Sequence, residues 1–231
     1  MIHKNNSIRY IVNKTNKMIS HDAGFHVDES IVISGVNYAN EELAKIPTTV
    51  FNAIDFKSLS SIVGALFCKG IENYTNCIVN PIEKGHPDIL PTNAKTASRA
   101  ELMNYPNGLE VKCTCGNLKN SIIHEYGVRR INDLGGITWQ AHHPEVGKLM
   151  AIVWDFNSFD NESPTPIITG VFYANTLLPS DWGTVSGTTG RNTKVTALLK
   201  TGKIKLGTGW IAIKDEKIYI NRYSKILGFS I

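Results

Sequence analysis

Apolar and polar positions divide the chain into helix-period and strand-period stretches. Between residues 48 and 70, Phe51, Ile54, Leu59, Ile62, Val63, Leu66 and Phe67 recur at helical intervals, and Thr48 or Thr49 can cap the first turn, so the pattern predicts a long core helix. From Leu109 the period falls to two. Leu109, Val111 and Cys113 alternate with Glu110, Lys112 and Thr114, which predicts a half-buried strand with Glu110 and Lys112 side by side on its polar face. Cys77-Ile78-Val79, Ile89-Leu90 and Ile31-Val32-Ile33 read as short strands. Residues 149–155 and 137–142 read as partner strands joined through 143–147, residues 167–174 as a further strand, and residues 210–214 with 217–220 as a hairpin turning at Asp215-Glu216. The remaining signals are weaker: a short amphipathic helix carrying Ile8, Ile11, Val12 and Thr15, a helical turn at residues 41–44, and mixed turn and helix over 121–134. The sum is an α/β fold whose central mixed β-sheet of four or five strands is flanked by helices.

Length and charge narrow the picture without choosing a function. A chain of 231 residues can bury a sizeable core and is most simply one domain. The formal net charge of +4 permits a polyanionic partner and does not demand one. Cys68, Cys77, Cys113 and Cys115 lack the paired spacing of a zinc site and are expected to be reduced thiols. No stretch approaches the roughly 18 apolar residues of a membrane span, and no apolar signal region follows the polar first residues, so a cytoplasmic protein without a membrane partner is expected.

The candidate chemistry lies on the polar face of the strand at 109–114. Asp88 follows Pro87 at the head of Ile89-Leu90, where it can point at the same spot as Glu110 and Lys112. Two carboxylates at close range repel unless a cation sits between them, and hard oxygen ligands with a partly hydrated octahedron suit Mg²⁺. A neighbouring lysine can hold or deprotonate a water while the metal neutralises a phosphate oxygen, so phosphodiester hydrolysis is the natural chemistry. The plain alternative is a solvated same-face ion pair. Asp55-Phe56-Lys57 and Asp215-Glu216-Lys217 repeat the acid-x-Lys spacing, but the first lies in a helix-period stretch and the second in a predicted turn.

Pro87-Asp88, a gap, and Glu110-Val111-Lys112 together resemble the PD-(D/E)xK nuclease motif, in particular that of type II restriction endonucleases. The likeness covers about residues 72–155. It implies a restriction-endonuclease-like fold forming a single nuclease domain over 1–231, with its catalytic core at about 48–175 and a basic C-terminal region at 180–231. It also implies Mg²⁺-dependent cleavage of double-stranded DNA at a specific sequence. Asp88, Glu110 and Lys112 would be catalytic, and Asp88, Glu110 and the Val111 carbonyl would hold the metal, with Glu72 or Glu83 as a possible extra ligand. A palindromic target would favour a homodimer. A repair or recombination nuclease of the same superfamily and a non-catalytic DNA-binding protein are the alternatives.

Two further features bear on DNA. Residues 183–194 are rich in Gly, Thr and Ser, a composition that suits either a mobile surface loop or close approach to a groove. In the second case Arg191, Asn192 and Lys194 are the candidates for DNA contact, the first two reading base edges, while Lys203 and Lys205 suit phosphates. His142 and His143 are adjacent, and neighbours on a strand face opposite ways, so they are not expected to share one ion.

Overall fold

The computed structural model describes residues 8–13, 19–119, 127–157, 165–187 and 194–231. The strands are β1 (Tyr10–Val12), β2 (Cys77–Val79), β3 (Ile89–Pro91), β4 (Val111–Thr114), β5 (Asn117–Leu118), β6 (Leu134–Gly136), β7 (Gln140–Ala141), β8 (Leu149–Asn157), β9 (Thr165–Ala174), β10 (Thr196–Ala197) and β11 (Trp210–Lys214). The helices are α1 (Ile19–Ala23), α2 (Glu29–Lys45), α3 (Thr48–Ala53), α4 (Phe56–Tyr74), α5 (Arg99–Leu102), α6 (Gly127–Asp133), α7 (Lys200–Thr208) and α8 (Lys217–Leu227).

The protein is α/β, with a central five-stranded sheet in the order β1-β11-β9-β8-β4. It is mixed: β4 runs parallel to β8, and the other neighbours are antiparallel. The run from Leu149 to Phe156 explains why helices cover both faces, because a strand apolar at nearly every position must be buried on two sides. Met150, Ile152, Trp154 and Phe156 pack into one core with α2 and α4, while Leu149, Ala151 and Val153 pack into a second core with α6, α7 and α8. Arg130 of α6 is almost wholly buried and pairs with Asp155 of β8 at 3.2 Å, which fastens that helix to the sheet.

Several elements differ from those expected. Residues 31–33 belong to α2, because Ile31, Val32, Gly35, Val36, Ala39, Asn40 and Leu43 are buried at helical intervals and Asp28 caps Ile31 N. The same helix absorbs residues 41–44. The helix expected over 48–70 is two, since the Asp55 side chain accepts from Ser58 N at 2.7 Å and starts α4 afresh after the extended Ile54. Residues 10–12 form an edge strand on β11 and not a helix. Residues 217–220 open α8, whose buried Tyr219, Tyr223 and Leu227 make a helical stripe, so no hairpin forms. β8 takes β4 and β9 as partners, and residues 137–142 instead cross the sheet face with Trp139 Nε1 donating to the Ile152 carbonyl at 3.0 Å. Only Gln140–Ala141 is strand, paired with β10. Among the described residues no helix is long and apolar enough to cross a membrane.

The helices α2 and α4 cross at Gly35 and Gly70. A Cβ on Gly70 would lie 2.7 Å from the Gly35 carbonyl oxygen and 2.8 Å from its Cα, both backbone atoms that cannot step aside. On Gly64 of the same helix the nearest atom would be Cys113 Cβ at 3.6 Å, an ordinary contact. Gly70→Ala is therefore expected to destabilise the protein by about 1–3 kcal/mol. Gly64→Ala should be neutral or stabilise by up to ~1 kcal/mol through helix propensity. Urea unfolding midpoints of the two variants check the contrast.

Candidate active site

A tight docking of two strand ends builds the site. Gly108 adopts φ 146°, and a Cβ there would run into the Ile89 carbonyl oxygen, so a glycine is needed for the close approach. Ile89 and Leu109 then exchange backbone hydrogen bonds at 3.1 and 2.8 Å. That bridge sets Asp88, just before β3, against Glu110, just before β4. Asn80 steadies the approach to Asp88: its amide donates to the carbonyls of Pro87 and Leu102, and its backbone N–H donates to the Asp88 carbonyl. The His86–Pro87 peptide is cis.

On β4 the alternation holds as expected. Leu109 and Val111 are buried in the α2/α4 core and Cys113 packs against it, which leaves Glu110 and Lys112 on the opposite face. Three oxygens surround the Lys112 ammonium: Glu110 Oε1 at 2.5 Å, the Val111 carbonyl at 3.2 Å and Asp88 Oδ2 at 3.5 Å. Asp88 Oδ2 also accepts the Val111 N–H at 2.7 Å. On the other side of Glu110, His86 Nδ1 lies 3.2 and 3.3 Å from its two carboxylate oxygens.

The charges explain the titration behaviour. Burial raises the Asp88 pKa above the usual carboxylate range and the neighbouring Glu110 charge raises it further, while Lys112 opposes the shift. Burial also works against ionised Glu110, but the His86 hydrogen bond and the Lys112 ammonium outweigh it and hold Glu110 below its ordinary value. For Lys112 the two carboxylates overcome burial and raise its pKa. The Glu110 hydrogen bond raises that of His86. The two acids thus respond oppositely, with Glu110 the firmly ionised one.

The other expected residues are distributed as follows. Glu72 accepts from Val79 N at 2.9 Å and pairs with Lys69 at 2.5 Å, so it ties α4 to β2. Among the described residues no group of three or more His, Cys, Asp or Glu side chains is placed to hold a metal ion, and neither Glu72 nor Glu83 completes one with Asp88 and Glu110. Asp88, Glu110 and Val111 instead offer two carboxylates and a carbonyl, the hard oxygen donors that suit Mg²⁺ with water in its remaining positions. Arg191 and Asn192 lie outside the described residues. Lys194 is exposed and Lys203 half-buried. Lys205 has an internal partner, since its ammonium binds Asp181 Oδ2 at 2.6 Å and the Thr176 carbonyl at 2.8 Å. All four cysteines are free; Cys68, Cys77 and Cys115 are buried and Cys113 is half-buried.

The histidines meet in a way the sequence did not show. Residues 142 and 143 lie in a bend after β7, where strand alternation no longer applies, and both rings stand 5.8 Å from the His86 ring. His142 Nδ1 approaches the Lys194 carbonyl at 3.4 Å, which brings the β7–β10 ribbon beside the carboxylates. The position of His86, immediately before Pro87-Asp88, was the one signal available. Comparison of the chain with protein-family models, curated proteins and solved structures finds no match.

The raised Asp88 pKa gives a testable sign. The folded protein holds this proton to higher pH than the unfolded chain, so the stability associated with protonated Asp88 is present at low pH and is lost as pH rises through the folded value. Asp88→Asn keeps an acceptor for Val111 N–H and carries no charge. In metal-free buffer it should match the parent's melting temperature below the unfolded value of about pH 4 and melt increasingly above it as pH rises from there through the folded value. Asp88→Ala, which leaves Val111 N–H without that acceptor, should melt below Asp88→Asn throughout. Thermal melts across pH check both orders.

Proposed function

We propose that the protein is a Mg²⁺-dependent endonuclease of PD-(D/E)xK type with a restriction-endonuclease-like core, cutting double-stranded DNA at a specific sequence. One observation carries the proposal: Asp88 Oδ2, Glu110 Oε1 and the Val111 carbonyl, drawn from two strand ends, converge within 3.5 Å of a single cationic centre. A cradle of hard oxygens that already holds the Lys112 ammonium suits a divalent cation in both charge and donor type.

In this role Asp88, Glu110 and the Val111 carbonyl bind the metal. Bound Mg²⁺ supplies Lewis-acid charge to a phosphate oxygen and acidifies its water. Lys112 donates from its ammonium to the attacking water and keeps it oriented, a task for which its flexible stem and three N–H donors are suited. Glu110, ionised and fixed, keeps the negative charge that the metal requires. β4 lies at the end of the sheet and Asp88 is half-buried, so substrate can reach the site from the sheet edge. Lys194, exposed and two residues before β10, has its carbonyl 3.4 Å from His142 Nδ1 and offers a phosphate contact in this reading. Two copies related by a two-fold axis would place one site on each strand of a palindromic target.

Digestion of a large plasmid set with Mg²⁺ should yield discrete fragments; a smear would favour a repair-type nuclease, and no metal-dependent cutting at all would remove the nuclease assignment. Asp88→Asn should not cut, and Lys112→Ala should cut about 10²- to 10⁴-fold more slowly. Catalytically intact parental rates in either variant would remove that residue from the mechanism. For DNA contact, Lys194→Ala and Lys203→Ala should weaken binding to all sequences alike and reduce the salt slope by about 0.9 each. Lys205→Ala should behave differently and lower thermal stability by roughly 1 kcal/mol, because buried Asp181 loses its ammonium partner and keeps the Leu178 N–H. Fluorescence anisotropy over a salt series, together with melting curves, separates the two classes.

A further inference from the structure

We propose that His86 is a positioning residue for the Glu110 carboxylate, and that His142 and His143 brace it, linking the metal-ligand geometry to the β7–β10 ribbon that leads to Lys194. The inference rests on the metal-dependent reading of the Asp88–Glu110 pair and adds residues that the PD-(D/E)xK resemblance does not supply.

Glu110 needs such a partner. Its side chain is 7% exposed, so water cannot satisfy its oxygens, and Lys112 reaches Oε1 alone. His86 Nδ1, near-equidistant from both oxygens, is the second group that fixes the carboxylate plane. A donor so placed sets the direction in which the remaining lone pairs point, as outer groups do for metal-binding carboxylates.

His86 is itself held from two sides. Its backbone N–H donates to the Met103 carbonyl at 3.1 Å and its carbonyl accepts from Tyr105 N at 2.8 Å, so the main chain cannot swing. Its ring is met by His143 edge-on, at 89° between planes, and by His142 at 59°. His142 is tied to the ribbon: its Nδ1 faces the Lys194 carbonyl, and the adjoining Ala141 is paired with Thr196. His143 follows it directly in the chain, with Nδ1 3.0 Å from Glu145 Oε2 but without a hydrogen bond. A contiguous path of packed rings and strand pairing therefore runs from Glu110 to Lys194. DNA seated on Lys194 would press on the residues that set the Glu110 carboxylate, which is a physical means of coupling target engagement to cleavage.

The test compares His86→Ala, His86→Asn, His142→Ala/His143→Ala and the triple alanine variant, using Mn²⁺ affinity by electron paramagnetic resonance and steady-state cleavage of a plasmid. An asparagine amide can take the place of Nδ1, so the pair of His86 variants differs in the donor more than in the fold. His86→Ala should weaken Mn²⁺ binding about 10- to 100-fold and lower kcat similarly, with KM for DNA unchanged. His86→Asn should recover most of both. The His142/His143 double variant should show a smaller loss of the same kind, and the triple variant should be no worse than His86→Ala, since the two act through His86. Should His86→Ala fail to fold, His86→Leu against His86→Asn gives the same contrast. Parental Mn²⁺ affinity in His86→Ala, or equal losses in the alanine and asparagine variants, would overturn the positioning role while leaving the nuclease assignment in place. Losses that multiply in the triple variant would overturn the brace. A parent protein that neither binds Mn²⁺ nor cuts DNA overturns the nuclease assignment, and the positioning role with it.

Discussion

The Lys112 ammonium between Asp88 and Glu110 is the interaction on which the candidate site depends. Its distances of 3.5 and 2.5 Å place the two carboxylate oxygens within about 6 Å of one another. Like charges at that range repel by roughly 3 kcal/mol at an effective dielectric of 20, and less where water reaches Asp88. The ammonium offsets this repulsion, and the Val111 N–H adds a hydrogen bond to Asp88. Burial first, and the Glu110 charge after it, keep the Asp88 pKa raised, while Glu110, with both Lys112 and His86, stays ionised.

That cluster exists only because the backbone brings two distant strand ends together. β4 is held in register by β8, with Val111 opposite Met150 and Lys112 opposite Ala151, and Met150 N donates to the Glu110 carbonyl at 2.8 Å. β8 is in turn fixed by burial on both faces. Gly108 lets Ile89 dock beside Leu109, so a glycine at one end and a double-faced strand at the other define where the acids meet. The α2–α4 crossing at Gly35 and Gly70 closes the core beneath Leu109 and Val111. Precision at the site thus derives from rigid elements, and the loops add partners to it.

How much of this was legible depends on how local the cause is. β8, β9 and the motif strand announce themselves by composition over consecutive residues, and Asp88, Glu110 and Lys112 are read correctly as neighbours because each lies at a strand end with a turn signal beside it. α2 was misread because Ile31-Val32-Ile33 is β-branched, while the deciding burial pattern extends to Leu43, too far for a three-residue window. α8 was misread for the same reason, since the helical spacing of Tyr219, Tyr223 and Leu227 shows only over most of the helix, beyond the four residues read as a strand. The division of the helix at Asp55 was hidden by the apolar period that runs through it. The meeting of His86 with His142 and His143 had no local cause at all. It follows from the path of residues 137–147 over the sheet face, which is decided by tertiary packing of Trp139 and Ala141. Lys205 likewise has a partner that no local pattern shows, since its pairing with Asp181 is a feature of the folded surface.

Asp88 is also what separates a catalytic reading from a purely structural one. Glu110, Lys112 and His86 alone would make a satisfied half-buried network, with one carboxylate, one ammonium and one imidazole donor, and a folding role would account for them. Asp88 does not fit that account. The backbone hydrogen bond it accepts could be taken by a neutral asparagine, which would avoid both the cost of burying a carboxylate and a second negative charge beside Glu110. A carboxylate at a position where an amide would be more stable is what the proposed function accounts for, since a divalent cation between Asp88, Glu110 and the Val111 carbonyl would need the charge. The same logic assigns Lys112 a double part. It stabilises the acids in the fold, and under the nuclease proposal it would also orient the attacking water, so a single side chain would serve both.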